Sequence, residues 1–478
     1  MILLLISACL LLSAEQLEDR LDSLDGGGPG RRDSAEPTDG GDTGVTGDTD
    51  TGDPKDTGET GHTGEPACEY QGTAGVGVAT VEQLESAANA GGVVCLSPGR
   101  YEVNLELAKD TVLLGEGDVV LDGTGRGGVL RSTGTKLVIE GLTIENGSAA
   151  SGAGLWLSGC NVALSNVVIR SNTCSAEYCE GVGIRAELSD VGATAVRVLE
   201  SYGAPTSSGL TAGIGVHLVD VRLAVAGLEI DASQADASGL VLGVGAYLLG
   251  GTVNGTDLTV TDSRCETDSN ENCRGTGMYA NGVEFTAARV LVAGNRGPTV
   301  GTGVGGGMFL ESSTGEFQNL IVLGNASGFG GGGGGIYLFG GDLSIINADL
   351  VGNEADTKMG SGGGLVVDGG AQLSLANASV AYNTAAAAVG ISEFSGEIDG
   401  QYCNLFKDEW VPGVSSEDFA ITSINPGYLD TSAISPSDWD LHLGGDSGMR
   451  NTGDPAISDA DGSRSDIGGF GGPEGSGW

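Results

Sequence analysis

Two residues beyond the second glycine of a recurring Gly-x-Gly stands a row of side chains: Trp156, Arg185, His217, Tyr247, Tyr279, Phe309, Tyr337 and Val366. The neighbours on either side are aliphatic or small, as in Leu155/Leu157, Val216/Leu218 and Met308/Leu310. In an extended chain alternate side chains face opposite ways, so the aliphatics point inward and the row outward. The chain holds 4 Trp, 10 Tyr and 9 Phe in 478 residues, so five aromatics among eight positions is an enrichment that needs a cause. One cause is chemical. Trp156, Tyr247, Tyr279, Phe309 and Tyr337 would form a platform for sugar rings, and sugars repeat along a polysaccharide at roughly the 5 Å spacing of stacked strands. The other is structural, with stacked rings bracing neighbouring strands or lying beneath a loop.

Acid–base chemistry has fewer candidates. Within the row, His217 and Arg185 are the side chains that could serve as a base. A second outward set, Arg170, Arg197, Glu229 and Asp231, flanks the buried aliphatics of successive units. Carboxylates on adjacent units could stand about 5 Å apart, the separation a retaining glycosidase uses. Exposed salt-bridge ladders are the plainer expectation for such a set. Leu291, Ile321 and Leu323 take these positions later in the chain, which confines any polar site to residues 170–262. Near the C-terminus, Asp459-Ala-Asp461-Gly-Ser463-Arg-Ser-Asp466 spaces oxygen ligands as a calcium loop does, with glycine at the sharp turn and without the closing Glu. Calcium is the cofactor this loop would take. The competing reading is a turn whose Asp and Ser side chains cap their own backbone.

Charge and cysteines narrow the setting. Lys+Arg number 21 against 64 Asp+Glu, a formal charge of −43, which repels nucleic acid and anionic lipid alike. With three histidines, a histidine-built zinc cluster is not expected. Met1 to Cys9 is an apolar run ending Ile-Ser-Ala-Cys, the pattern of a lipoprotein signal in which Cys9 is acylated; an ordinary signal cleaved near Ala14 is the alternative. Lipidation of Cys9 leaves eight of nine cysteines. Cys174/Cys179 and Cys265/Cys273 are close pairs in polar stretches, as loop-stapling disulfides of an oxidising compartment would be, with Cys68/Cys95 as a third. Their spacings do not match zinc signatures. Export is therefore expected, to the cell surface as a lipoprotein or into the medium, as a monomer whose only membrane contact is an N-terminal lipid.

The elements that must position these residues follow from the repeat. Residues 1–15 read as signal, and 16–66 carry 14 acidic against 4 basic residues with repeated Asp-Thr-Gly, a disordered linker. Thr80 to Asn89 predicts a short amphipathic helix, an N-terminal cap. Thereafter the second glycine falls at Gly154, Gly183, Gly215, Gly245, Gly277, Gly307, Gly335 and Gly364. Fifteen residues after each of the first seven comes Ile169, Val198, Ile230, Val260, Val292, Val322 or Leu350, and the eighth arrives one residue late at Val380. Three further on stand Asn172, Ser201, Ser233, Ser263, Asn295, Asn325, Asn353 and Asn383, followed by a stretch of variable length. Such a unit cannot bury its apolar face alone and must stack, with like residues forming ladders. A propeller blade would need about 40 residues. The expectation is an all-β, single-stranded right-handed parallel β-helix of about ten to twelve coils over 67–400, with 401–478 as terminal coils and cap.

Motifs point the same way. Gly-Gly-Gly-Ile336 followed by Leu350-Val-Gly-Asn353 resembles the repeat of polymorphic outer-membrane proteins. Leu96-Ser-Pro-Gly-Arg-Tyr101 and Ile139-Glu-Gly-Leu-Thr-Ile144 resemble β-helix proteins of the pectin-lyase-like superfamily. Tyr402-Cys403-Asn404, Asn425-Pro-Gly-Tyr428, Gly453-Asp-Pro455 and the 459–468 stretch resemble the C-terminal module called choice-of-anchor Q. The resemblance covers residues 70–475 and implies the fold, while its members are functionally diverse. Polygalacturonase signatures (an Asp-Asp pair, Gly-His-Gly, Arg-Ile-Lys) are missing. Lyases of that superfamily use calcium with an Arg or Lys base, a role only Arg185 and Arg197 are placed to fill. Glycan binding or adhesion is thus the leading expectation, with a polysaccharide lyase or glycoside hydrolase as the alternative. Cys160 and Cys403, many coils apart, are expected not to pair.

Overall fold

A repeat with strand periodicity can satisfy its backbone only against the next copy of itself, and in the computed structural model it does so. Residues 68–267, 272–408, 410–411 and 421–478 are described. Cys9, the apolar run 1–15 and the acidic tract 16–66 lie outside them. Ten-residue strands such as Asp190–Leu199, Arg222–Asp231, Thr252–Thr261 and Glu284–Ala293 pair in parallel, each with its equivalent one coil on. The chain is an all-β parallel β-helix. Among the described residues one sheet gathers nineteen strands and a second twelve, and the solenoid makes about nine turns, somewhat fewer than the ten to twelve expected. The helix Val81–Ala90 begins where expected, with the Thr80 hydroxyl accepting from the Gln83 N–H, and sets Leu84 and Ala88 into the core.

The repeating aliphatics Ile169, Val198, Ile230, Val260, Val292, Val322, Leu350 and Val380 are fully buried in one continuous core with Leu155, Leu157 and the rings of Phe285 and Phe317. Corners are turned on single left-handed residues. The first glycine of each Gly-x-Gly, from Gly152 to Gly362, has φ between +55° and +64°, a region a side chain resists. The second glycine answers a different need: a Cβ on Gly307 would sit 2.6 Å from the Gly335 carbonyl and 3.0 Å from Asn325 Nδ2. Gly-x-Gly and the Asn ladder therefore come together because they touch.

The ladder itself is buried and continuous. Asn295 Nδ2 donates to Asn325 Oδ1, Asn325 Nδ2 to Asn353 Oδ1 and Asn353 Nδ2 to Asn383 Oδ1 at 2.9–3.1 Å, and each also reaches a core-strand carbonyl. Asn383 hands the chain of bonds to Asp408, whose enclosed carboxyl is pushed up to about 6 by burial. Asn172 stands apart, accepting from the Gly147 N–H, because serines occupy the next three rungs. A second row was not anticipated. Asn319, Asn347 and Asn377 bend the long strands at φ +54° to +56°, six residues before each ladder asparagine.

Those bends receive the C-terminal segment. Instead of adding coils throughout, the chain beyond Ile421–Thr422 runs along the side of the stack. Asn319 Nδ2 donates to the Gly469 and Gly471 carbonyls, and Asn347 Nδ2 to the Asp466 carbonyl. Tyr428, Trp439, Leu441 and Phe470 cover Leu291, Ile321, Leu323, Val351 and Ala381, which explains why these outward positions are apolar. All three expected disulfides form, Cys68–Cys95, Cys174–Cys179 and Cys265–Cys273, with Cα separations of 6.0, 5.8 and 6.6 Å. Cys160 and Cys403 are unpaired and buried, as their separation along the stack demands.

Candidate functional site

The outward row is real. Trp156, Arg185, His217, Tyr247, Tyr279, Phe309, Tyr337 and Val366 are in strict register on successive strands of the twelve-stranded sheet. Tyr247, Tyr279, Phe309 and Tyr337 stack nearly parallel with centroids 5.1–5.5 Å apart, and His217 meets Tyr247 edge-on at 4.6 Å. Their accessibility differs from the expectation. Tyr247, Tyr279 and Phe309 are only 8, 4 and 5 % exposed, because Ala212, Leu242 and Val304 from a five-stranded side sheet close over them. Tyr247, Tyr279 and Phe309 form an apolar core of their own that is closed to a sugar ring, with Tyr337 half-buried at its end. Tyr279 and Tyr337 still satisfy their hydroxyls, on Glu311 and Asp368.

Where the row begins, beside the first strand of the side sheet, Cys179–Glu180, a groove of about 670 Å³ opens. Trp156 lies on its wall, half-buried, with the Arg131 guanidinium 3.8 Å above the ring centroid. Arg185 crosses the floor. Its Nη1 binds Glu180 and donates to Ser151 Oγ at 3.0 Å, while Nη2 donates to Glu187 at 3.3 Å. Tyr178, 45 % exposed, and Leu210, 40 % exposed, form the opposite lip. The groove thus combines aromatic surface with donors (Arg131, Ser151, Ser207) and acceptors (Glu177, Glu187), the bipolar lining that sugar hydroxyls require. Its formal charge is −1 from two arginines and three glutamates, small beside −43 for the chain.

Comparison with known proteins adds little. No protein-family model matches the chain, and no curated protein does. A solved pectate lyase structure is similar. That protein, Pel9A, shares 12 % identity over 81 % of this chain and 90 % of its own, with a TM-score of 0.35.

The candidate bases are poorly placed for catalysis. His217 is next to Arg185 in the row but 4 % exposed; burial, aided by the Arg185 charge, pulls its pKa down to about 3, and Nδ1 has no partner. Arg185 is committed to two carboxylates. Arg197, Glu229 and Asp231 lie on a different sheet from the groove, where Arg197 grips Glu229 with two bonds of 2.7 and 3.2 Å and Asp231 accepts from Thr261. Arg197–Glu229 is thus a surface ion pair and Asp231 a hydrogen-bond acceptor for Thr261, an arrangement unlike a paired-carboxylate site. In the C-terminal loop, Asp461 accepts from Ser463, Asp459 from the Asp466 and Gly472 N–H groups, and Asp466 from the Asn451 N–H. Among the described residues no group of three or more His, Cys, Asp or Glu converges as metal ligands would. Asp459, Asp461, Ser463 and Asp466 thus take part in the hydrogen-bonded turn that was the alternative to a calcium loop, with Asp459 and Asp466 also tying the loop to Gly472 and Asn451.

Sequence reasoning missed Arg131, Tyr178, Glu180 and Glu187. Arg131 occupies the same row one coil before Trp156. The alternation Leu130-Arg131-Ser132 was its signal, hidden because that coil lacks the Gly-x-Gly. Tyr178 comes from a variable loop whose fold no spacing announces, while Glu180 stands in the strand Cys179–Glu180 directly before the first glycine of a Gly-x-Gly, where residue type changes from coil to coil.

Proposed function

We propose that this chain is an exported, non-catalytic binding protein that takes a neutral saccharide in the groove at Trp156. The observation that carries this is the groove itself: one indole held flat by Arg131, an exposed tyrosine opposite, and donors and acceptors between them. The strongly negative chain argues against a polyanionic glycan, which would have to approach against the whole molecule's field. Arg185 and His217 present no free base to the groove, so turnover is not part of this reading. Three disulfides support an oxidising compartment, and Cys9 supplies the surface anchor this reading adopts.

The test is retention of the chain on a panel of neutral and acidic polysaccharides, with and without a chelator, while reducing and unsaturated ends are followed. Retention on a neutral polymer, unchanged by chelator and without product, is expected. Replacing Trp156 and Tyr178 together by Ala should weaken it at least tenfold, each lost stacking partner being worth about 1 kcal/mol. Equal retention by that double variant rules the groove out, and product release would turn attention to an enzyme.

A further inference from the structure

The C-terminal segment is held by three parallel tracks on the later coils. The bend asparagines bond its backbone, Asn319 and Asn347 donating to carbonyls and Asn377 Oδ1 accepting from the Asp454 N–H. Leu291, Ile321, Leu323 and Val351 receive its apolar side chains. The left-handed turn glycines Gly294, Gly324 and Gly352 leave room for Pro436 and Ser437, which a Cβ at Gly324 would meet at 2.6 Å. All three tracks are permanent features of neutral groups. In the middle of them lies an exception, Asp349, a carboxylate 1 % exposed beneath the strap.

Asp349 sits in register between Ile321 and Ser379 on its own sheet. Everything else that faces it comes from the strap. Tyr428 Oη lies 2.6 Å from Oδ1, the Gly469 N–H donates to Oδ2 at 2.7 Å, and the His442 imidazole exerts a weaker electrostatic pull. His442 is itself bonded to Asp440 at 2.7 Å and lies against the Phe470 ring. Tyr428 Oη also bonds Ser379 Oγ at 2.8 Å, where either oxygen can donate. The relay therefore runs in both directions. With Asp349 ionised, Ser379 donates to Tyr428 and Tyr428 to the carboxylate. With Asp349 protonated, its O–H donates to Tyr428 and Tyr428 to Ser379. Hydrogen bonding is complete in either state, and what separates them is the desolvation of a charge sealed under the strap.

We propose that Asp349 is a proton-controlled clasp: protonated, it holds the C-terminal strap firmly on the later coils, and ionised, it loosens the strap. Lifting the strap returns the carboxylate to water, where ionisation costs nothing extra. Burial pushes the docked group up to about 7 from a solvent value of 3.8. The docked state therefore prefers the proton. Docking is strongest below about pH 4, weakens as pH rises toward 7 and levels off above.

Hydrogen–deuterium exchange of the full chain tests this, corrected for intrinsic exchange and read on peptides containing Gly469. From those two pKa values protection should fall roughly 30-fold between pH 5.5 and 8.5. In Asp349→Asn, whose Oδ1 accepts from the Gly469 N–H while Nδ2 donates to Tyr428 Oη as the protonated acid does, protection should be flat across that range. Wild-type protection that does not change with pH overturns the proposal, whether or not the Asn variant folds. So does a pH dependence that survives Asp349→Asn, or one abolished by His442→Gln, which removes the other ionisable side chain of the strap that acts on Asp349.

Discussion

His217 occupies the place in the ring stack where an aromatic hydrocarbon would be easiest to explain. Its edge packs on Tyr247, Arg185 lies on the preceding coil, and Nδ1 is buried without a partner. Leaving such an atom unpaired costs about 1–3 kcal/mol. The ring is also a pH liability. Its folded pKa of about 3 lies below the ordinary 6.5, so between those values the unfolded chain takes up a proton that the fold refuses. Stability is then lost as pH falls from about 6.5 toward 3, at up to about 1.4 kcal/mol per pH unit. His217→Phe extends the stack and removes both effects. Urea unfolding should find the variant no less stable than wild type at pH 7 and more stable by at least about 1 kcal/mol at pH 5. Comparing the two proteins at each pH cancels every other titrating group, Asp349 included. Parallel pH profiles would mean that His217 is not enclosed as described.

Asn325 is an interior rung of the ladder, and its amide spans two coil interfaces. It accepts from the Asn295 backbone and side chain, and donates to the Val292 carbonyl and Asn353 Oδ1. Asn325→Ala strands groups on both sides, so a loss of about 2–3 kcal/mol is expected in urea unfolding. Asn325→Ser should cost nearly as much, because the Ser201 and Ser233 hydroxyls, which fill the same place in earlier coils, are buried without a hydrogen-bond partner. A much smaller cost for Ser would show that a hydroxyl at this rung replaces the amide's bonds. This element was legible in the sequence because the ladder, the Gly-x-Gly and the aliphatic core recur at fixed offsets within each rigid part. The cover over the aromatic row was not. Ala212, Leu242 and Val304 each stand directly before the first glycine of a Gly-x-Gly, but Glu180 and Arg274 hold the same place in other coils, so residue type does not mark it as a cover. Alternation correctly turned Tyr247, Tyr279 and Phe309 away from the main core, but it is silent on whether water or another sheet lies beyond. The groove suffered likewise: Trp156 and Arg185 were found through the repeat, while Tyr178 was lost with the loop that carries it and Glu180 at a place where residue type changes from coil to coil.

Two long-range effects compete over the whole molecule, a strap that hides an apolar stripe and a charge that keeps copies apart. The stripe was partly legible, since Leu291, Ile321 and Leu323 break a run of outward charged residues. What covers it lies more than 100 residues downstream and shares no period with the coils. A chain ending at Thr422 would bare these leucines and isoleucine with Val351 and Ala381 in one stripe along successive coils. Contiguous apolar surface of this kind drives association. The acidic composition opposes it, but only over the Debye length, which shrinks from about 10 Å in 0.1 M salt to about 3 Å in 1 M. The truncated chain is therefore expected to stay largely monomeric in dilute buffer and to self-associate as salt is raised, by light scattering. The full chain, with Tyr428, Trp439, Leu441 and Phe470 on the stripe, should remain monomeric throughout. Because Arg289 joins Asp257 to Glu474 across the strap, salt also weakens one of the strap's own attachments. Association of the full chain at high salt would follow if that ion pair dominated docking. Its absence would show that the asparagine bends and the apolar stripe hold the strap without it.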